Sequence, residues 1–325
     1  MVSMTYRDAL RRAIDEAMAE DDDIVVIGEE VGRYGGAYGV TKDLIKTYGP
    51  ERMIDTPISE PGIVGVAVGA AMTGLRPIAE LMYIDFLGMS MDQLANQAAK
   101  IRYMFGGQIG VPMVLRTQGG TGRSAGAQHS QSLEGWIMHT PGLRLAMPAT
   151  VADAYHLLRH SLTLPDPVVF IEHKALYAQK EEVDLDAPAL PWGKAAIRRR
   201  GDDLVIVTYS RQLRFAMEAA GQLAERGVEA TVIDLRTLNP LDFDTIRMEV
   251  ERIGKAMVVC EGVLTAGVAA ELASRITEEC FDFLEQPVAR VAGEDVPIAV
   301  SPALEAASVP GVDLIRDVGE RLVRW

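Results

Sequence analysis

The sequence predicts an α/β protein of two domains, each built on a mainly parallel sheet with helices on both faces. Three observations carry that expectation. Short unbroken apolar runs such as Ile24-Val25-Val26-Ile27 and Leu204-Val205-Ile206-Val207 have the pattern of strands buried on both faces of a parallel sheet. Helix-forming stretches alternate with those runs along the chain, as in doubly wound folds. The alternation lapses once, after Gln179, and then resumes, and 325 residues are long for a single core.

Element by element the pattern is regular. Thr5 is placed to cap a first helix, with Asp8 in its first turn and Leu10, Ala13, Ile14, Ala17 and Met18 on one face. The acidic run Asp21-Asp22-Asp23 ends it, a strand at 24–27 follows, and Gly28 opens a loop that runs to Gly36. A helical stretch at 42–48 precedes a short strand around Met53-Ile54. Residues 63–72 read as a small-residue helix, 77–81 as a strand and 86–103 as one long helix. Strands are expected at 112–116, 144–147 and 168–171, the last two separated by a helix at 152–161. From 179 to 192 the charges of Lys180, Glu181, Glu182 and Asp184 and the prolines Pro188 and Pro191 replace any periodicity, which reads as a linker. Beyond it, strands at 204–207, 230–233, 256–259 and 288–291 alternate with helices at 212–224, 243–253, 268–280 and 312–323. The expected domains are therefore residues 1–178 and 195–325, joined by a linker at 179–194.

Composition narrows the function classes. The formal charge is −14, from 32 basic and 46 acidic residues, and leaves no basic footprint with which to displace counterions from a nucleic acid. Cys260 and Cys280 are too few for a disulfide framework and form no CxxC pair, so buried, unreactive thiols in a reducing compartment are expected. The start MVSMTYRDAL lacks a basic segment followed by an apolar one. No apolar run approaches the ~20 residues that cross a bilayer. A cytoplasmic protein that binds neither nucleic acid nor membrane is the expectation.

Gly65, Gly69 and Gly74 follow neither GxGxxG nor GxxxxGK[ST], so no nucleotide fingerprint is present. Their small neighbours suggest instead a helix that another backbone approaches closely. There is no GxSxG elbow, and His156 and His160 share a helix face without the glutamate of a zinc HExxH pair. Two positions remain chemically provocative. Glu60 stands at the start of the small-residue helix, where a carboxylate either complements the helix dipole or serves as a semi-buried acid for a heterocycle nitrogen. His129 sits in the glycine-rich stretch Gly119-Gly120-Thr121-Gly122-Arg123-Ser124-Ala125-Gly126-Ala127-Gln128-His129, and loops of this kind often line sites. His173, near the linker, is a competing candidate with an equally good structural role.

Taken together, several segments resemble the beta chain of the decarboxylating component of 2-oxo acid dehydrogenase complexes, a branch of the transketolase-like superfamily. They are Asp55-Thr56-Pro57-Ile58-Ser59-Glu60, Gly74-Leu75-Arg76-Pro77-Ile78, Asp92-Gln93-Leu94-Ala95-Asn96-Gln97 and Gln128-His129-Ser130-Gln131. Pro141-Gly142-Leu143, Asp166-Pro167-Val168, Ile233-Asp234-Leu235-Arg236-Thr237-Leu238 and Asn239-Pro240-Leu241-Asp242 continue the same order over nearly the whole chain. The resemblance implies an N-terminal pyrimidine-binding domain, a C-terminal transketolase-type domain and thiamine diphosphate as cofactor. In such enzymes the glutamate matching Glu60 hydrogen-bonds the aminopyrimidine ring, and the cofactor then acts as its own base. A 2-oxo acid loses carbon dioxide, and the acyl group passes to a lipoyl group. His129 matches the family's loop histidine, with a role in proton transfer or charge stabilisation. Phe86 matches the aromatic ring laid against the aminopyrimidine, and Met82 a side chain packed beside it.

The resemblance also implies partners. The GDG motif that marks the diphosphate and magnesium site is missing, so magnesium is expected to be held mainly by an alpha subunit, in a heterotetramer of two alpha and two beta chains. The lipoyl-bearing acyltransferase core is a further expected partner. Some relatives hold potassium, largely through backbone carbonyls, at the positions of Met113, Ser161, Leu162, Leu164 and Asp166; relatives commonly have an acidic residue where this chain has Leu164. The stretch from Arg123 to Glu134 is more similar to pyruvate- and acetoin-type members than to branched-chain ones. A non-catalytic partner subunit is the alternative from another class, and the presence of Glu60 argues against it.

Overall fold

The computed structural model describes residues 1–189 and 191–324; Leu190, inside the expected linker, and Trp325 lie outside the described residues. The chain forms two compact units. One comprises Met1–Gly119 and Trp136–Trp192, the other Gly120–Gly135 and the chain from Gly193 onward.

In the first unit β1 (Val2–Thr5) leads into α1 (Tyr6–Glu20). Thr5 caps this helix: its hydroxyl accepts from the Asp8 N–H at 3.1 Å and donates to the Asp8 carboxylate at 2.7 Å. The capping pair holds the Asp8 carboxyl below its ordinary value against the opposing effect of partial burial. Leu10, Ile14 and Met18 are buried on the inner face of α1, each stabilising the fold by roughly 1.5–3 kcal/mol relative to exposure. The helix packs against α6 (Val151–Ser161), which is capped by Thr150 and Asp153 in the same way.

Between these helices the chain runs through β2 (Ile24–Glu29), α2 (Leu44–Tyr48), β3 (Met53–Thr56), α3 (Glu60–Met72), β4 (Arg76–Leu81), α4 (Ala99–Met104), β5 (Val114–Gly119), α5 (Glu134–Met138) and β6 (Arg144–Ala146). After α6 come β7 (Val168–His173) and β8 (Lys180–Val183). The main sheet of this unit has the order β6-β7-β5-β4-β2-β3, parallel throughout. Apart from the edge strand β3, its strands are almost wholly buried, which is why runs such as Ile24-Val25-Val26-Ile27 are unbroken and apolar.

Two departures from expectation are instructive. The helix expected at 86–103 is broken into a 3-10 segment, Ile84–Ser90, a π-helical segment, Asp92–Ala98, and then α4. Here α3 packs against both irregular segments, and a Cβ at Gly65 would stand 3.5 Å from Gln93 Cγ. That is ordinary side-chain contact, and Gly69 and Gly74 face open space, so the close backbone approach expected at this small-residue helix is not found at its glycines. The second departure lies inside the expected linker, where β8 pairs antiparallel with β1 from Val2↔Val183 to Thr5↔Lys180.

The second unit contains β9 (Ala196–Arg199), β10 (Leu204–Thr208), α7 (Gln212–Ala224), β11 (Ala230–Asp234), β12 (Thr237–Asn239) and α8 (Phe243–Ile253). It continues with β13 (Ala256–Val263), α9 (Val268–Cys280), β14 (Ala289–Gly293), α10 (Pro302–Ala307) and α11 (Val312–Arg324). Its sheet has the order β14-β13-β10-β11-β9, parallel except for the edge strand β9. Arg198 on that edge reaches Asp234 at 2.8 Å. Both cysteines are buried and free, and burial pushes the Cys260 thiol up to about 12.

Candidate functional site

In the first unit β2 lies between β3 and β4. The chain leaves β2 towards one side and crosses back through α3 to the other, so this edge is a topological switch point. Crevices at the carboxyl ends of parallel strands form at such points. Glu29 ends β2, Glu60 opens α3 just after β3, Met82 follows β4 at once, and Phe86 lies in the 3-10 segment beyond it. Glu60, Met82 and Phe86, singled out from sequence, are thus brought to one edge of one sheet.

Glu60 is only 7% exposed, and its carboxylate makes no hydrogen bond or ion pair among the described residues. The first turn of a helix favours a negative charge, but a buried acid without a donor is costly unless something else supplies one. Glu29 stands close by: burial, then Glu30 and Glu60, pushes its carboxyl above the ordinary value. Thr56 Oγ1, Ser90 Oγ and Gln93 Oε1 are likewise buried without hydrogen-bond partners. Thr56 at the end of β3 and Glu60 at the start of α3 together fit a polar heterocycle that brings its own N–H donors to these strand ends. Met82 and Phe86 are half-buried and offer apolar surface for the flat faces of such a ring.

Phe86 is braced from below. It meets Tyr83 edge-on at 6.0 Å, the Tyr38 hydroxyl donates to that of Tyr83 at 3.1 Å, and Tyr38 stacks on Tyr177 at 4.8 Å. Tyr177 in turn donates to Glu172 at 2.6 Å. There the aromatic chain meets a charge network that crosses three strands. Arg116 of β5, fully buried, makes two hydrogen bonds to Glu172 of β7 at 2.7 and 2.8 Å and one to Glu80 of β4 at 2.6 Å. Burial pushes the Glu172 carboxyl up while Arg116 and Tyr177 pull it back. Asp55, next to Thr56, holds the loop after β2 by accepting from the N–H groups of Gly32 at 2.6 Å and Arg33 at 3.1 Å. A Cβ at Gly32 would come within 3.1 Å of that carboxylate, which explains the glycine. Sequence reasoning missed Tyr38, Tyr83, Tyr177 and Arg116, for single residues at strand and loop positions carry no pattern.

His129 belongs to the second unit, on the stretch Gly120–Gly135. It is half-buried, and its N–H donates to the Gly126 carbonyl at 3.3 Å. The stretch is closed by the Gly120 N–H on the Gln131 carbonyl at 3.0 Å. Ser130 and Gln131, next to His129, line a cavity of about 600 Å³ together with Glu261, Thr265, Asp295 and Ile298. At the foot of the stretch Glu134 accepts from the Tyr209 hydroxyl at 2.8 Å, while its Oε2 has no partner. Burial, helped by Glu261, pushes the Glu134 carboxyl up. His173 accepts at Nδ1 from the Ala175 N–H at 3.2 Å and so shapes the turn after β7. His160 stacks on Trp192 at 5.9 Å, and burial, with Arg144, lowers its pKa.

Four of the five positions considered for potassium already accept a hydrogen bond or hold an ion pair. The Met113 carbonyl accepts from the Val168 N–H at 3.0 Å, that of Ser161 from the Leu164 N–H at 3.3 Å, and that of Leu162 from the Arg76 guanidinium at 3.2 Å. Asp166 is paired with Arg102 at 2.7 Å and Arg144 at 2.8 Å. Arginines thus supply the positive charge this turn needs. Each of these carbonyls keeps a second lone pair beside the bond it accepts.

An unpaired acid, 7% exposed, at the switch point of one parallel α/β unit, in a chain with a second such unit, defines a two-unit α/β protein of the doubly wound class. Residues 2–180 match the model of the transketolase, pyrimidine binding domain, and residues 193–315 that of the transketolase, C-terminal domain. The chain is 46% identical over 318 residues to the pyruvate dehydrogenase E1 component subunit beta-1, mitochondrial, of Arabidopsis thaliana, covering 96% of this chain and 88% of the relative. It is 44% identical over 318 residues to the pyruvate dehydrogenase E1 component subunit beta of Rhizobium meliloti, covering 98% and 69%. The beta subunit of the acetoin:2,6-dichlorophenolindophenol oxidoreductase of Bacillus subtilis is 42% identical over 330 residues, covering 98% and 96%. A solved structure titled split gene transketolase, inactive beta4 tetramer, matches with a TM-score of 0.82 at 20% identity over 99% of both chains, which shows the shared fold. The chain belongs to the transketolase-like family, in the group formed by the beta subunits of 2-oxo acid dehydrogenase decarboxylating components.

Proposed function

We propose that this chain is the beta half of a thiamine-diphosphate-dependent 2-oxo acid dehydrogenase, with pyruvate as the favoured substrate and an alpha subunit as obligatory partner. The observation that carries the reading is the buried, unpaired carboxylate of Glu60 at the switch point. The cofactor, when bound, supplies a carbon nucleophile and holds the electrons left when carbon dioxide departs. Glu60 would hydrogen-bond the pyrimidine ring and set its protonation, while Met82 and Phe86 would pack on its faces. His129 would transfer a proton or stabilise charge at the reacting end. Residues 1–178 and 195–325 would act as the pyrimidine-binding and C-terminal domains. The alpha subunit would hold most of the magnesium and complete a tetramer of two alpha and two beta chains. A lipoyl-bearing acyltransferase would receive the acyl group, and the complex would work in the cytoplasm.

Acetoin cleavage by the same chemistry is the second reading, favoured by the 42% identity to the acetoin-oxidoreductase subunit. Dye reduction by the reconstituted alpha–beta pair, with pyruvate, branched-chain 2-oxo acids and acetoin in parallel, separates the two. In that assay Glu60→Gln exchanges a charge-assisted hydrogen bond for a neutral one, a loss of roughly 1–1.5 kcal/mol. The expected rate falls about tenfold, and cofactor affinity measured by calorimetry falls with it. Full activity in the variant would defeat the assignment.

A further inference from the structure

The stretch carrying His129 does not hold its shape by side-chain packing alone. Gly120, Gly122, Ser124 and Gly126 all have positive φ, of 85°, 93°, 52° and 79°. A backbone that alternates in this way turns successive N–H groups to one side, making a concave donor surface that accepts an anion. Here the anion comes from the same unit. Glu305 of α10, only 4% exposed, accepts from the Gly122 N–H at 2.9 Å, from the Ser124 N–H at 3.0 Å and from the Ser124 hydroxyl at 3.3 Å. A second buried acid, Glu261 of β13, accepts from the Thr121 N–H. Arg211 ties the two ends of that contact, donating to Thr121 Oγ1 at 3.0 Å and lying 3.8 Å from Glu261. A Cβ at Gly122 would meet the Arg211 guanidinium at 3.0 Å, and one at Gly126 would meet Val300 at 3.0 Å.

Ser124 is a non-glycine residue held in the left-handed region, a conformation that persists where the surroundings over-determine it. The surroundings here are the carboxylate of Glu305, whose bonds to N–H groups are charge-assisted and so about twice as strong as neutral ones. We propose that Glu305 is a positioning residue for His129: its carboxylate clasps the N–H groups of Gly122 and Ser124 and thereby fixes the stretch on which the imidazole is carried. The inference rests on the role assigned to His129 above. Glu305 touches no reacting atom in this account; it acts through the backbone between Gly122 and His129.

The test uses the reconstituted alpha–beta enzyme with wild-type chain, Glu305→Gln, the milder Glu305→Asp, His129→Ala, and the double variant His129→Ala/Glu305→Gln. Glu305→Gln keeps the shape and loses the charge. Amide hydrogen exchange in the peptide spanning residues 121–129 is expected to quicken about tenfold, and kcat to fall about tenfold with KM within twofold of wild type. Glu305→Asp should fall between the two in both readouts. The double variant should be no slower than His129→Ala alone, because coupled residues are non-additive. Unchanged exchange in Glu305→Gln would overturn the clasp while leaving the role of His129 intact. Faster exchange with unaltered kcat, or additive losses in the double variant, would make Glu305 a structural residue and overturn the proposal. Full activity in His129→Ala would instead remove the reading on which the proposal stands.

Discussion

Arg116→Met removes the guanidinium that Glu80 and Glu172 share and leaves two carboxylates, both buried, facing each other across β5. Methionine fills a similar volume, so packing loss is small and the effect is electrostatic. Breaking a buried pair by deleting one partner costs about 3–5 kcal/mol. In a domain of this size each kcal/mol moves the melting temperature by roughly 2–4 °C, so a fall of about 10 °C is expected at pH 7. The Tyr177 hydroxyl still donates to Glu172, which places the loss in the middle of that range rather than above it. Burial already pushes the Glu172 carboxyl up, and without Arg116 it rises further. Protonation then relieves the repulsion, so the deficit should narrow as pH falls towards 5. Adding Glu80→Gln and Glu172→Gln to Arg116→Met should recover most of the loss, because no charge is left stranded. Calorimetric melts of the wild type, Arg116→Met and the triple variant at pH 5, 7 and 8 decide the matter. A drop below about 2 °C at pH 7, or no recovery in the triple variant, would refute the electrostatic account.

Two further outcomes follow from the same structure. Burial raises the Glu134 carboxyl, so the folded chain binds a proton there that the unfolded chain has released; this group therefore erodes stability as pH rises from the unfolded value of a glutamate upward. Glu134→Gln should melt higher than wild type at pH 8 and level with it near pH 4, and equal melting temperatures at pH 8 would count against the raised value. At the turn after α6 the arginines already satisfy Leu162 and Asp166, so replacing potassium with choline at constant ionic strength should leave the melting temperature unchanged. A clear fall on removing potassium, restored by its return, would show that these carbonyls hold the ion after all.

The sequence made some of this legible and not the rest. The helices at 212–224, 243–253 and 268–280 emerge with the expected limits, because each buries an apolar face whose period is written locally. Thr5 and Asp8 announce the first helix for the same reason. β1 and β8 do not announce themselves: Lys180-Glu181-Glu182 is polar and exposed or half-buried, and only a partner some 180 residues earlier makes it a strand. The broken helix after β4 is equally silent, since its composition favours a helix and its irregular turns arise where α3 presses on it. Glu60 could be picked out by its place before a small-residue helix and by family resemblance. Glu134, Glu261 and Glu305 could not, for a lone acid in a helix or strand looks solvated until tertiary structure shows it buried.

The pairing of β1 with β8 has a practical consequence. The first unit begins and ends at the same place, stitched by four residue pairs from Val2↔Val183 to Thr5↔Lys180, so its polypeptide is a closed circuit apart from the excursion at 120–135. Trimming the leading residues would undo the seam at both sides and leave the edge of Lys180–Val183 bare. The seam thus couples the two extremes of the unit, and whatever loosens one of its strands releases the other.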